Sequence, residues 1–222
     1  MGILQRLAAA ERKGSLSNTL RSRRFEYFES LMEKIDAPIS ILDVGGTVRF
    51  WECRGWLGKS DVNITLLNLK AEDVPEGNIN SVAGDATNLS QYGDDQFDVV
   101  FSNSVIEHLF TIENQQAMAR EVQRVGKSYW VQTPNYYFPI EPHFHWLGWQ
   151  WYPRSVRIAA IRRFKCGHRG PHPRIEDAKD AVDEVRLITR SEMKNMFPGG
   201  RIWNERILGV TKSFVAIGGF RG

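Results

Sequence analysis

Helical spacing of apolar residues marks the N-terminal part of the chain. Within residues 19–35 the large apolar side chains fall roughly three or four positions apart, and they are Leu20, Phe25, Phe28, Leu31 and Ile35. This spacing predicts an amphipathic helix, and another helix is predicted over residues 3–13. We therefore expect an N-terminal helical segment over residues 1–36, ahead of the main body of the chain.

Beyond this segment the pattern changes to short apolar runs that are separated by turn residues. Seven runs predict strands: SILDV (40–44), VNITLLNLK (62–70), NSVAGDA (80–86), FDVVFSN (97–103), SYWVQTP (128–134), RIWNERILG (201–209) and TKSFVAIGGF (211–220). Helices are predicted over 113–126, ending at Gly126 as a C-cap, and within 185–199, beginning at Thr189 or Ser191. Strands that alternate with helical connections are typical of a parallel sheet covered by helices.

The segment 134–175 interrupts this alternation with prolines, histidines and aromatic residues. It contains FHWLGWQWY (144–152), in a chain that is only 11% aromatic. Its periodicity is weak, so no regular element is predicted there. Because the segment follows the fifth strand, it emerges at the carboxyl edge of the sheet, which is where ligands bind in open parallel sheets. We expect one domain over 1–222, with 134–175 as a ligand-binding insertion.

Composition and charge narrow the class of protein. A chain of 222 residues with 42% hydrophobic and 25% charged residues can bury one sizeable core. The net charge of +3 is too small to argue for nucleic acid by itself. Cys53 and Cys166 are the only cysteines and nothing pairs them, which favours a reducing, cytoplasmic location. No apolar run approaches the length of about 20 residues that a membrane helix needs, although contact with a membrane surface stays open. The oligomeric state is not predicted.

Polar residues and glycines follow the first four predicted strands, in DVGG (43–46), LNLK (67–70), GDAT (84–87) and SNSVIEHL (102–109). The dinucleotide fingerprint G-x-G-x-x-G fails at the first of these turns, since Thr47 and Phe50 stand where glycines should follow Gly45. A phosphate loop of the type G-x-x-x-x-G-K-[ST] is also absent from the sequence. These turns therefore favour a small ligand without a pyrophosphate.

The motifs ILDVGG, GDATNLSQYGDDQFDVVFSNSVIEHL, YWVQTPN and LITRSEMKNMFPG resemble those of the class I S-adenosylmethionine-dependent methyltransferases. The resemblance covers roughly residues 39–135 and 184–219, and FDVVFSNSVIEHL is its most specific part. It implies a Rossmann-like, seven-stranded, mostly parallel sheet with helices on both faces. It also implies S-adenosylmethionine as the cofactor and methyl transfer as the reaction.

The resemblance assigns cofactor-binding roles to residues at the strand ends: Asp43, Gly45 and Gly46 around the methionine part, Asn68 at the ribose, Asp85 and Ala86 at the adenine edge, and Asn103 and Ser104 at the methionine end. Leu69, next to Asn68, is also expected to bind the cofactor. Many members carry a third glycine in the first loop, and this chain does not. The family usually has an acid where this chain has Asn68. Because an amide can still bond to hydroxyls but carries no charge, we expect ordinary cofactor affinity.

Candidate catalytic residues lie after the fourth strand and in the insertion. Glu107 and His108 in VIEHL, with His143 and His145 in EPHFHW, could remove a proton from an acceptor near neutral pH. VIEHL is similar to the E-x-x-E-H motif of metal-dependent O-methyltransferases, but Ser104 replaces the first glutamate. A divalent ion such as Mg²⁺ stays open and no metal site is assigned. Glu107 could instead cap a helix and His108 could be a packing residue.

The aromatic residues of the insertion are the candidate acceptor site: Tyr136, Tyr137, Phe144 and Trp149. TPNYYFPIEPHFHW is similar to methyltransferases associated with glycans, which favours O-methylation of a saccharide or glycolipid hydroxyl. Two other enzyme activities stay open: O- or N-methylation of a small aromatic metabolite and, less favoured, 2′-O-methylation of RNA. A non-catalytic, cofactor-binding partner subunit is the alternative of a different class. The expected partner is thus a small-molecule or glycan acceptor. The same aromatics could also form a purely structural hydrophobic lid.

Overall fold

The helix α1 (Leu16–Met32) opens the part of the chain that the computed structural model describes, which comprises residues 16–167 and 169–220. The predicted helix at 19–35 therefore begins and ends three residues earlier in the structure. Phe25, Phe28 and Leu31 are buried, as the spacing of apolar residues indicates. The helix predicted over residues 3–13 lies outside the described residues.

Seven strands form one sheet in the described residues: β1 (Ile39–Val44), β2 (Val62–Asn68), β3 (Ile79–Ala83), β4 (Phe97–Asn103), β5 (Gly126–Pro134), β6 (Arg201–Ile207) and β7 (Val210–Gly218). Their order is β3-β2-β1-β4-β5-β7-β6. The first five strands run parallel, and β7 is antiparallel to both β5 and β6. The predicted Rossmann-like, mostly parallel sheet is confirmed. The carboxyl ends of β1, β4 and β5 are adjacent at one edge.

The connections contain the helices α2 (Val48–Glu52), α3 (Ile112–Val125), α4 (Arg154–Arg163), α5 (Ile175–Asp183) and α6 (Arg190–Met196), and the 3₁₀ turns Ile106–His108 and Trp149–Trp151. Thr189 begins α6, as predicted, through a capping box with Glu192. Gly126 ends α3, but its backbone is extended. A side chain there would bring its Cβ to 2.6 Å from Val100 Cγ2, so glycine is needed for close packing.

Each face of the sheet carries its own hydrophobic core. On one face, α3 and α6 contribute Met118, Val122 and Met193 to a core that includes Val100 and Val131. On the other face, α1 and the α2 region supply an aromatic core. Its buried rings are Phe25, Phe28, Trp51, Trp56, Phe101 and Trp130. Packing on both faces holds the strand ends in place. It therefore also determines the positions of the polar turns that follow the strands.

The insertion after β5 folds around a third, smaller core. Phe144 and Trp149 pack there with Ile158 and Ile161 of α4 and with Ala178 of α5. The prediction of no regular element in 134–175 is therefore wrong for α4, and α5 was not predicted either. None of the helices in the described part of the chain combines the length and the apolar composition that crossing a membrane requires.

Candidate functional site

The loop after β1 is held by a buried carboxylate. Asp43 is 2% exposed, and its Oδ2 accepts a hydrogen bond from Trp51 Nε1 at 2.7 Å. A Cβ on Gly46 would lie 1.8 Å from the same oxygen, so this position admits only glycine without rearrangement. Gly45 has a φ of +79°, in the left-handed region that glycine favours. The two glycines and Asp43 thus form a compact turn at the carboxyl end of β1.

Burial dominates the electrostatics of Asp43. It raises the pKa of this carboxyl to about 7, although the hydrogen bond from Trp51 and the charge of Arg54 both lower it. The side chain faces the interior of the turn. In the structure it links the end of β1 to Trp51 of α2.

The ends of β2 and β3 present groups beside this loop. Asn68 Nδ2 donates to the carbonyl of Gly46 at 2.9 Å, which leaves its Oδ1 as an acceptor. Leu69 is 82% exposed. Asp85 is exposed and its Oδ1 accepts from the amide and hydroxyl of Thr87, while Ala86 is buried.

The segment that follows β4 packs against the β1 loop and leads into Glu107 and His108. Ser104 has a φ of +60°, and its hydroxyl donates to Gln132 Oε1 on β5 at 2.8 Å. Asn103 is half-buried. A Cβ on Gly45 would come 2.3 Å from Val105 Cγ2, so the β1 loop packs directly against the residue two positions before Glu107.

Glu107, His108 and His143 form one cluster, which we call the carboxylate–histidine cluster. Glu107 is fully buried in the 3₁₀ turn, and its Oε2 accepts from Thr133 Oγ1 of β5 at 3.0 Å. The rings of His108 and His143 meet edge-to-face with centroids 4.8 Å apart. Each of the three residues offers a ligand atom, and these atoms lie within 4.8 Å of one another. His145 lies outside this cluster, on a backbone with φ of +55°.

Glu141 orients His143. Its Oε1 is 2.6 Å from His143 Nδ1, and its Oε2 accepts from the amides of His143 and Phe144 at 2.7 and 2.6 Å. Glu141 is 1% exposed. Because Nδ1 is bonded to this carboxylate, the lone pair of the neutral ring is placed on Nε2. Burial alone would lower the pKa of His143, but the hydrogen bond and charge of Glu141 raise it above its usual value.

The other two members of the cluster are shifted by burial. Burial raises the pKa of Glu107 to about 7. Burial, with the neighbouring His143, lowers the pKa of His108 to about 4, so its ring is neutral near pH 7. Glu107 Oε1 and His108 Nδ1 are buried, and the described residues offer neither a hydrogen bond. The cluster can therefore accept a proton, and its donor atoms could alternatively hold a divalent cation.

A cavity of about 360 Å³ lies beside the cluster, between the insertion and the start of α6. Its wall includes Tyr136, Glu141, Phe144, Trp149, Gln150, Arg157, Arg186 and Glu192. Phe144 and Trp149 stack with centroids 4.4 Å apart and are almost completely buried. Tyr137 is 62% exposed and its ring packs edge-to-face against Tyr136. Three of the four aromatics that the sequence singled out thus line one cavity.

The sequence prediction missed Glu141 and Thr133, whereas it expected Arg157, with Arg154, Arg162 and Arg163, to suit an anionic or polyhydroxyl acceptor. The spacing of Glu141 and His143 in EPH, two positions apart, was a usable signal for a carboxylate–histidine pair. Thr133 reaches Glu107 only through the pairing of β4 with β5, and Arg157 reaches the cavity only because α4 packs on the aromatic loop. Local patterning carries no signal for these two contacts.

Comparisons with known proteins were made by sequence and by fold. The family described as Methyltransferase domain matches residues 59–129. The Uncharacterized protein Rv1509 of Mycobacterium tuberculosis is 29% identical over 99 residues, which cover 45% of this chain and 32% of that protein. The match thus spans about a third of the length of the curated relatives.

Solved structures share the fold at low identity. A SAM-dependent methyltransferase from Methanosarcina mazei has a TM-score of 0.52 and 15% identity, covering 85% of this chain and 95% of that one. A protein from Rhodobacter sphaeroides described as a Zn-dependent alcohol dehydrogenase has a TM-score of 0.54 and 12% identity, covering 85% and 86%. At such identities the likeness shows the fold and not the reaction.

The groups at the strand ends fit S-adenosylmethionine. The glycine turn lets a ligand approach the backbone closely, Asn68 Oδ1 can accept from ribose hydroxyls, and exposed Leu69 offers an apolar surface to a flat ring. Asp85 adds an exposed carboxylate. The methyltransferase-domain match over residues 59–129 and the seven-stranded sheet agree with the resemblance to class I S-adenosylmethionine-dependent methyltransferases.

Proposed function

We propose that this chain transfers a methyl group from S-adenosylmethionine to a hydroxyl of a saccharide or glycolipid. The observation that carries the proposal is the position of the carboxylate–histidine cluster. Val105 connects the cluster to the glycine turn, because it packs on Gly45 and lies two residues before Glu107. Groups that can take a proton therefore lie next to the loop at which the cofactor is expected.

The cofactor would be held by the residues that the family resemblance indicates: Asp43, Gly45, Gly46, Asn68, Leu69, Asp85, Ala86, Asn103 and Ser104. When bound, it supplies an electrophilic methyl group. The protein must align the acceptor oxygen with that group, exclude water and take up the hydroxyl proton.

His143 is the proposed general base. Glu141 fixes its ring and leaves Nε2 as the proton acceptor, the arrangement by which a carboxylate supports a histidine base in hydrolases. The positive charge that His143 gains is balanced by Glu141, which explains its raised pKa. Glu141 is itself anchored by two backbone amides, so the pair is rigid before an acceptor arrives.

Glu107, His108 and His145 have supporting roles in this proposal. Glu107, with a pKa of about 7, can receive the proton after the transfer. His108 stays neutral and can bond to the acceptor hydroxyl or to His143. His145 lies two residues from His143 and remains the alternative base.

The residues that line the cavity indicate the class of acceptor. The half-buried Tyr136 gives its wall aromatic surface, with the stacked Phe144 and Trp149 packed behind the wall, and Gln150, Arg157 and Glu192 give it polar groups. Mixed walls of this kind suit a sugar ring, which has apolar C–H faces and hydroxyl edges. A planar aromatic metabolite would use the rings and leave most of the polar groups without partners, so we favour the saccharide.

The test compares wild-type protein with His143→Gln and with His172→Gln, a histidine outside the cluster. Methyl transfer is measured on methyl glycosides, phenols and a short RNA. We expect transfer to glycosides, a loss of about 10²-fold or more in kcat for His143→Gln only, and unchanged stabilisation by S-adenosylhomocysteine. Activity that EDTA removes and Mg²⁺ restores would reassign the cluster from base to metal ligands. Full activity in His143→Gln, with and without EDTA, would contradict both roles.

A further inference from the structure

The cavity beside the cluster contains one positive charge that the surrounding acids do not neutralise. Arg157 projects from α4 into its wall and is half-buried. Its Nε is buried, and no described residue accepts a hydrogen bond from it. Burial lowers the pKa of Arg157, which reflects a guanidinium that has lost water without gaining a close partner.

The nearby carboxylates each have another close partner. Asp183 pairs with Arg154 and Glu184 with Arg169. Glu192 pairs with Arg186, and Glu141 bonds to the His143 ring and to two backbone amides. Asp183 and Glu141 act on Arg157 only over longer distances. Within the described part of the chain, none of these acids is left to compensate Arg157 at ion-pair distance.

Two more unsatisfied groups belong to the same wall. Trp149 Nε1 is a buried donor and Gln150 Oε1 a buried acceptor, and neither has a hydrogen-bond partner among the described residues. Gln150 is held in place because its Nε2 donates to the carbonyls of Tyr136 and Phe138. Buried polar groups cost free energy unless they are paired, so a ligand that pairs with these groups gains binding energy.

We propose that this cavity binds an anionic saccharide, a uronic acid whose carboxylate pairs with Arg157 and whose ring packs on the half-buried Tyr136. The inference deepens the proposed function and rests on it for the statement that this sugar is the methyl acceptor. Guanidinium matches a carboxylate in a planar, two-bond geometry, which makes Arg157 selective for an anion over a neutral hydroxymethyl group. A cavity of about 360 Å³ is within the range of small-ligand pockets.

Binding is tested without turnover, on protein saturated with S-adenosylhomocysteine. The probes are 4-nitrophenyl β-D-glucuronide and 4-nitrophenyl β-D-glucoside, and the matching galacturonide and galactoside pair, measured by saturation-transfer NMR titration. We expect each acidic sugar to bind about ten-fold more tightly than its neutral partner, the value of one charge-assisted pair. Arg157→Gln should abolish this preference, Arg157→Lys should restore part of it, and Arg163→Gln, exposed on the same helix, should keep it.

Comparing the binding of glucose 6-phosphate with that of glucose shows whether the site prefers a phosphate to a carboxylate. Tighter binding of the phosphate than of any uronide, lost in Arg157→Gln, would support an anion site and assign it to a sugar phosphate. Equal binding of acidic and neutral sugars, no binding of any acidic probe, or a preference that survives in folded Arg157→Gln would overturn the proposal. Anion-dependent binding without methyl transfer would keep this site and contradict only the proposed function.

Discussion

At the scale of single residues, the candidate site depends on two buried acids that do different things. Asp43 bonds to Trp51 and holds the glycine turn, and it faces the interior. Glu107 bonds to Thr133 with one oxygen and leaves the other unpaired beside His108 and His143. Asp43 is thus placed to stabilise the turn, whereas the buried, unpaired oxygen of Glu107 is placed to accept a proton or to bind a ligand.

The glycine turn gives the first prediction. Gly46→Ala should abolish stabilisation by S-adenosylhomocysteine, because its Cβ would overlap the Asp43 carboxylate and force the loop to move. Gly199→Ala is the matched control, since a Cβ there meets nothing within 4 Å. The measurement is the cofactor-induced shift in melting temperature. A full shift in Gly46→Ala would mean that this loop does not bind the cofactor.

The buried Glu107 predicts a pH dependence of stability. Folding raises its pKa from 4.5 to about 7, so the folded state favours the protonated form. The contribution of protonated Glu107 to the free energy of unfolding is fully present below pH 4.5 and is lost as pH rises through 7. Its size is on the order of 3 kcal/mol. Wild type should therefore lose more free energy of unfolding than Glu107→Gln between pH 4.5 and 7.5. Parallel profiles in urea titrations of the two proteins would refute the assignment.

At the scale of elements, the insertion is a small folded unit on its own core. Sequence patterning could not predict α4, because only Ile158 and Ile161 are buried in a helix that also carries four arginines. Its stability comes from packing on Phe144 and Trp149, a contact that local periodicity does not encode. The capped start of α6 was predictable, because Thr189 and Glu192 have the spacing of a capping box.

Two aromatic residues of the insertion, one in its core and one on its surface, should differ in how much they contribute to stability. Trp149→Ala should lower the free energy of unfolding by about 3–5 kcal/mol, since its ring is 2% exposed and stacked on Phe144. Tyr137→Ala should change it by about 0.5 kcal/mol or less, because that ring is 62% exposed. Denaturant titrations of both variants check this. Similar stability losses in the two would contradict the packing described for the insertion.

At the scale of the whole molecule, the sheet order brings the parts of the site together. β1 lies between β2 and β4, and β5 follows β4, so the glycine turn, Asn68, Glu107 and Thr133 share one edge. The alternation of strands and helices sufficed to predict this edge and the turns on it. It could not predict which side chains meet, because Glu107 and His143 are brought together by the fold of the insertion over the strand ends.

The central claim is that a methyl group moves from the cofactor to a sugar hydroxyl at this edge. The most direct measurement uses S-adenosylmethionine with a deuterated methyl group and a mixture of neutral and acidic glycosides, phenols, amines and a short RNA, followed by mass spectrometry and NMR of the products. We predict a deuterated methyl ether on a sugar hydroxyl with wild type, and at least about 10²-fold less with His143→Gln. Label found only on a phenol, an amine or RNA, or equal labelling by both proteins, would contradict the account.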